Sequence, residues 1–476
     1  MAAPAATCEA ELPPPLMGQL RRDMQHWPLG GITPRHLARL RALKPDNAVR
    51  AAVMIVNRSV FWQRPTRRPR SPMLLALVHD LQELADAHPL ADVELVLNVD
   101  DYPFIPASPR PLPLFSHYQT REHHDILCPG GSFREVAFDA AMLRGCEHYD
   151  SASPWQGKAR VGFWQGHPYC GRHRFGKCSR LLLSHLSAQN VSQLLDVGLT
   201  FYEPAHDFHL RVEKCLLECA ANPSPSGARS KGAGRAQRQC AARGCANAYA
   251  APGDLPRRAT PLKVRPWVRI ERHADFRYLL QLDGHSSSWR LQFLLATNSA
   301  VFKQSSYYWE YYYSALRPYV HYWPFWERSP TDVLQVLENA SRPENDEALR
   351  LVGARGCRLA HQLLNPHARQ CYWRALLRLY AARLQKAPVL GDWPDAKRVR
   401  CSREDYAVKG GCEGWIQHGP RTLDRVDWST VTQRWRRTDA ESLDRVVAAI
   451  ELQIRAAPGF ESDIESISPR LTESKK

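Results

Sequence analysis

The chain has no long apolar run. Among its 476 residues the longest such stretches, 51–56 and 73–78, are core-sized, far short of the roughly 20 residues that a membrane span needs. The opening MAAPAATCEAELPPPLMGQLRRD lacks the apolar core of about 7–15 residues expected of a secretion signal. The closing ESKK is not a KDEL-type retention signal. There are 13 cysteines and none stands in a C-x-x-C pair. The looser pairs Cys215/Cys219 and Cys240/Cys245 lack the tight spacing of zinc sites, so no metal is expected there. Acidic residues are scarce: 48 against 64 Lys and Arg, for a net charge of +16. That excess is local. Residues 221–262 set Arg229, Lys231, Arg235, Arg238, Arg243, Arg257 and Arg258 against Asp254 alone, and QRPTRRPR adds Arg64, Arg67, Arg68 and Arg70. No zinc-finger spacing, RNA-recognition signature or basic heptad accompanies the charge, so no specific nucleic-acid partner is expected. Field attraction to polyanions needs no motif and stays open.

What is present is a globular composition, 44% hydrophobic and 24% charged, with length for two or three domains. Residues 278–325 are the most informative. An apolar run of strand length, 278–282, ends in Asp283-Gly284; a serine turn follows, and Trp289-Arg290 opens an amphipathic segment. A second apolar run, 300–302, ends at Lys303, and after an aromatic-rich stretch 319–322 reads as a third strand. Strand and helix patterns alternate, the signature of a parallel sheet covered by helices. Ligands of such sheets sit beyond the carboxyl ends of the strands. Gly284, Ser288 and Arg290 fall at such a place. Gly284 allows a sharp turn and close approach, Ser286 to Ser288 offer hydroxyls and an N-cap, and Arg290 offers a planar cationic fork for phosphate.

The organisation predicted along the chain is an N-terminal cap, 1–50; a first α/β unit, 51–150; a second, 151–345; helices over 346–386; and a charged segment, 387–476, without clear assignment. Leu74, Leu75, Leu77, Val78, Leu81 and Leu84 supply a helix face before the strand at 93–99. The Ala/Gly/Arg/Ser/Pro composition of 221–262 predicts a disordered insertion.

The order DG-x-SSS-W-R, NSAVFKQ-S, E-YYY-x-AL-x-P-Y-V-H-Y-x-P resembles the protein O-glucosyltransferase family, also called glycosyltransferase family 90. Upstream, WPLGGITPRHL, VELVLNVDDYPFIP, PLFSHYQTREHHDILCP and VGFWQGHPY resemble its earlier blocks. The resemblance covers roughly 25–385 with one interruption.

The resemblance implies a GT-B-like architecture: two Rossmann-like units, the first on the acceptor side and the second binding nucleotide-sugar, facing a cleft, with C-terminal helices. It implies an inverting transfer of glucose or xylose from a UDP-sugar co-substrate to a protein serine or a glycan, without a metal or other cofactor. Asp101, in the Asp-Tyr-Pro turn after the strand, matches the family's general base; read without the family it is a turn former beside Asp100. Ser288 and Arg290 match donor-phosphate residues, and Gly166 and Gly284 allow close approach to the donor. Glu310 matches a residue that holds a ribose or sugar hydroxyl, with a surface charge as the equal alternative. For a further phosphate arginine, Arg174 and Arg180 both fit, and Arg172 stays open. Lys303 matches less uniformly. The tyrosines at 307, 308, 311, 312 and 313 are expected in core and cleft wall, and His321 in the core. Cys371 matches a disulfide cysteine whose available partner is Cys8. An endoplasmic reticulum or Golgi lumen is implied, at odds with the missing signal; a misassigned start is the favoured reconciliation, a cytosolic copy the other. Sequons at Asn57, Asn190 and Asn339 are compatible with secretion. GGSFREV lacks the tryptophan usual in the family beside the donor sugar. That departure motivates an alternative, a non-catalytic relative that binds nucleotide or a partner.

Overall fold

The computed structural model describes residues 12–43, 49–63, 72–130, 146, 148–169, 178–201, 262, 264–393 and 397–399. Arg172, Arg174, Cys8, GGSFREV beyond Gly130 and nearly all of 221–262 and 387–476 lie outside them.

Two helices, α1 (Pro14–Met24) and α2 (Pro34–Ala42), precede the first sheet. Thr33 starts α2: its hydroxyl accepts from the His36 N–H, and Pro34 follows at the first helical position. The sheet is built from β1 (Arg50–Val56), β2 (Ser59–Trp62), β3 (Val93–Asn98), β4 (Leu114–Ser116), β5 (Ile126–Leu127) and β11 (Lys397–Arg398), in the order β11-β2-β1-β3-β4-β5. β1 runs antiparallel to β2 and β3, whereas β3, β4 and β5 are mutually parallel. Helix α3 (Pro72–Ala87) covers β1 and β2, with Leu74, Leu77, Val78, Leu81 and Leu84 of the expected face buried. β3 is buried along its whole length, as a strand covered on both faces must be.

The second sheet is wholly parallel. Its strands are β6 (Ala159–Gly166), β7 (Leu195–Leu199), β8 (Phe276–Gln281), β9 (Ala300–Gln304) and β10 (Trp323–Phe325), in the order β10-β9-β8-β6-β7. The first strand in sequence lies between the second and the third, so the winding reverses between β6 and β8. A crevice opens at the carboxyl ends of the strands where winding reverses. Helices α4 (Ser179–Ala188), α5 (Leu291–Ala296), α6 (Asp332–Ala340) and α7 (Asp346–Leu363) pack on this sheet. Helix α8 (Pro366–Ala381), capped by Asn365, returns to the first sheet, where Tyr380 donates to the Glu94 carbonyl at 2.9 Å. Helices α7 and α8 occupy most of 346–386, and the molecule is α/β with one mixed and one wholly parallel sheet.

Two local expectations fail. The run 319–322 is a turn, closed by the Tyr319 N–H on the Tyr322 carbonyl with Tyr319 at φ 61°, and the strand begins at Trp323. The turn serines do not cap the next helix. Its N-cap position is Arg290, without a side-chain cap, because Ser287 turns its hydroxyl to Tyr313 instead, at 2.6 Å.

Cys146 and Cys357 form a disulfide. Cys178 and Cys371 are disulfide-bonded too, Cys128 being free and buried; Cys8, the partner expected for Cys371, lies outside the described residues. His361 adjoins the Cys146–Cys357 pair, whose sulfurs are already bonded to each other.

Candidate active site

The carboxyl ends of β6 and β8 bring two arginines together. Arg290 follows the turn after β8 and donates from Nη1 to the Gln165 carbonyl on β6. Arg180, in the first turn of α4, donates to the carbonyls of His167 at 3.1 Å and Leu282 at 3.3 Å. Both guanidiniums lie over Trp164, at 5.2 Å for Arg180 and 5.6 Å for Arg290 from the ring centroid, a cation–π arrangement. The two glycines explain the close packing. A Cβ on Gly284 would meet Arg180 Nη2 at 2.8 Å, and one on Gly166 would meet Trp164 at 2.8 Å and Arg290 Nη2 at 3.1 Å. Gly284 is thus needed for close approach; no left-handed backbone requires it.

Both arginines are buried, and among the described residues neither forms an ion pair. Burial pulls Arg180 down to about 10 and Arg290 to about 9, the latter helped by the charge of Arg180. Asp283 and Asp101 act on Arg180 without closing an ion pair, and a buried cation outside a close ion pair is costly. Two side by side make a place where an anion is strongly favoured.

Asp101, beyond the end of β3 in the first sheet, acts on one of the two arginines, Arg180. It follows β3 in the Asp-Tyr-Pro turn, and its neighbouring charges are His285, Asp100 and Arg180. Partial burial raises its pKa, and Asp100 adds to the rise, while His285 and Arg180 pull it back. The next residue, Tyr102, approaches Tyr308 of the segment between β9 and β10, with ring centroids 6.4 Å apart. Between the units the backbones of Gln119 and Trp309 pair reciprocally, at 3.0 and 2.8 Å.

The turn that carries Asp101 is held by groups the motif reading did not single out. Buried Asp125 accepts from the N–H of Phe104 at 2.9 Å, the N–H of Ile105 at 2.8 Å and the Ser116 hydroxyl at 2.6 Å. Asn98 donates to the Tyr102 carbonyl at 3.3 Å and to Ser116 at 3.0 Å. Asp125→Ala would leave buried donors without an acceptor, each worth about 1–3 kcal/mol. Denaturant unfolding should show at least one such loss, and an unchanged midpoint would contradict this account of the turn.

A second cluster lies beyond β8 and β9. Glu310 accepts from Tyr313 at 3.0 Å and from Ser287 at 3.4 Å. Lys303 lies over the Tyr313 ring at 4.8 Å and acts on both Asp283 and Glu310. Burial raises Glu310 to about 8 and Asp283 to about 6. Burial lowers the pKa of Lys303 as it raises those of the two carboxyls, and the opposite charges of the three groups act back against these shifts. Lys303, Ser305, Ser306, Tyr308, Trp309 and Tyr313 help line a cavity of about 160 Å³ beside it. A carboxyl whose folded pKa is raised stabilises the fold below its unfolded value, and that contribution is lost as pH rises through the folded one. The stability advantage of the wild type over Glu310→Gln should therefore decline as pH climbs from 4.5 through about 8, read by denaturant unfolding at several pH values; parallel curves would place Glu310 in a wetter setting.

Of the residues singled out from sequence, Arg180, Arg290, Gly166 and Gly284 share one spot. Asp101 interacts electrostatically with Arg180, and Glu310 accepts from Ser287 of the Gly284 turn. Ser288 is buried with its carbonyl accepting from Gln281 at 2.7 Å. Tyr311 and Tyr312 are core, Tyr308 and Tyr313 line the cavity, and Tyr307 is exposed. His321 lies away from the cluster, its Nδ1 accepting from the Arg317 N–H at 3.0 Å. Trp164, Asp283 and His285 were missed although they adjoin quoted motif residues, because nothing in a motif says which neighbour turns inward.

The family model of glycosyl transferase family 90 matches residues 8–213 and 260–405. The chain belongs to glycosyltransferase family 90. The gap in the family match, 214–259, overlaps most of the segment 221–262. Among the relatives, human protein O-glucosyltransferase 3 is 26% identical over 315 residues, which is 64% of this chain and 49% of that protein. Protein O-glucosyltransferase 2 of Danio rerio is 26% identical over 306 residues, 61% of this chain and 48% of the relative. The O-glucosyltransferase rumi of Drosophila melanogaster is 23% identical over 310 residues, 62% of each chain. This family 90 chain spans about half the length of the two vertebrate relatives.

Proposed function

We propose that this chain is an inverting O-glycosyltransferase of GT-B type that moves glucose or xylose from a UDP-sugar to a protein serine or a glycan hydroxyl. The observation that carries this reading is the pair of buried arginines, Arg180 and Arg290, at the winding reversal, with Asp101 acting on Arg180 from the other sheet. Two adjacent buried cations call for an anion, and a departing diphosphate supplies one. The names of the relatives, all O-glucosyltransferases, favour glucose and a protein acceptor.

In this reading the acceptor oxygen attacks the anomeric carbon from the face opposite UDP. The new C–O bond forms as the old C–O bond to phosphate breaks, and UDP leaves with the electron pair. The acceptor proton passes to Asp101, whose raised pKa suits a base. Arg180 and Arg290 receive the developing phosphate charge, supplying what a divalent cation supplies in other transferases, so no metal is assigned a role. Glu310, whose pKa burial raises, is assigned to a ribose or sugar hydroxyl. The disulfides at Cys146–Cys357, Cys178 and Cys371 favour an oxidising compartment such as the secretory lumen.

The test is a panel of UDP-sugars offered to the purified protein with mixed acceptor peptides and glycans, read by mass. A product heavier by one hexose or pentose is expected. Saturable UDP binding without any transfer would favour the non-catalytic alternative, and no binding of UDP would sink the reading.

A further inference from the structure

Two of the three sequons occupy one kind of place, and the proposed reaction does not use it. Asn57 sits at the apex of the β1–β2 turn and Asn190 in the turn between α4 and β7; both are exposed and both have left-handed backbone, at φ 47° and 53°. Both turns also lie at the sheet edges opposite the cleft. β1 runs antiparallel to β3, so Asn57 stands beside the start of β3, where its N–H donates to Asp92 at 2.9 Å. Asp101 follows the far end of that strand. Asn190 precedes β7, whose first residue Leu195 pairs with Gly162 in the middle of β6, whereas its last, Leu199, pairs with Gly166 at the end where the arginines stand. With a rise of about 3.3 Å per residue, each strand separates its sequon from the cleft by roughly 16–20 Å. Asn339 is exposed as well, but it lies inside α6, and the carbonyl of its neighbour Ala340 is held by the Tyr278 hydroxyl at 3.1 Å; it is left out of the argument.

We propose that Asn57 and Asn190 carry N-linked oligosaccharides. The second, independent observation is the disulfide between Cys146 and Cys357, together with those at Cys178 and Cys371. Such bonds persist in the oxidising compartments where N-glycans are added. In that modification the Asn Nδ2 forms a bond to the anomeric carbon of an oligosaccharide carried on a lipid diphosphate. The C–O bond to the diphosphate breaks, the diphosphate leaves with the electron pair, and Nδ2 loses one proton. Glycans at these two turns leave the space between the sheets open and cover surface no ligand needs.

The test is the full-length gene product recovered from animal cells and digested with an amidase that releases N-glycans in heavy-oxygen water. Conversion of both Asn57 and Asn190 to Asp with heavy-oxygen label is expected. Asn57→Gln and Asn190→Gln should each remove one step of electrophoretic mobility shift. An unlabelled Asn57 or Asn190 in protein whose Cys146–Cys357 bond has formed would overturn the assignment at that residue. Free thiols at these cysteines with no glycan anywhere would overturn it entirely.

Discussion

Asp101→Asn is expected to lower kcat for sugar transfer by about 10²–10⁴-fold, the range for loss of a positioned general base. The amide keeps the size of the carboxylate, so UDP-sugar affinity should change little. The pH profile separates this from a folding defect. The base must be ionised, and burial raises the Asp101 pKa. The wild-type rate should therefore fall on the acid side at a pH above the usual aspartate range, and the residual rate of the variant should lack that limb. Equal turnover by both proteins would remove Asp101 from the mechanism. The test bears on the turn as well as the residue, because Asn98, Ser116 and Asp125 hold the backbone that follows Asp101.

Arg290→Met should lower kcat/KM by about 10²–10³-fold, as does loss of one donor aimed at developing negative charge. Its effect on stability should run differently. Arg290 is a buried cation without an ion pair among the described residues, and it donates to the Gln165 carbonyl. Replacing such a charge by an apolar side chain of similar length removes a desolvation cost. The unfolding midpoint should hold or rise while turnover collapses. Arg290→Lys keeps the charge but loses the planar fork, so its rate should fall between the two. A variant that loses activity and stability together would mean that Arg290 is structural. Retained activity in Arg290→Met would move the phosphate site elsewhere.

Much of the site was legible because its residues occur in compact, ordered motifs. FWQG, DG-x-SSS-W-R and the Asp-Tyr-Pro turn named Gly166, Gly284, Arg290 and Asp101 before any contact was known. The reach of Arg180 was less legible. Three arginines in a short stretch fitted the motif, and only the packing of α4 against the end of β6 brought Arg180 over Trp164. Asp125 was invisible for a related reason: its role is to accept from the backbone of another segment, and backbone donors leave no mark in a sequence. The serine turn misled, since an N-cap preference is local while the partner that won, Tyr313, is 26 residues from Ser287. The run 319–322 misled because its composition suits a strand, yet Tyr319 turns left-handed where β10 is about to begin.

The sequence by itself determined the family, the α/β alternation and the residue types the chemistry needs, since these follow from local order and periodicity. Tertiary structure alone decided which strand lies beside which, and hence that β6 and β8 flank the point where winding reverses. It also decided that two arginines far apart in the chain share one aromatic ring, opposite a carboxylate raised by burial. Charges shift one another through space at short range, and distance in the chain carries no information about that.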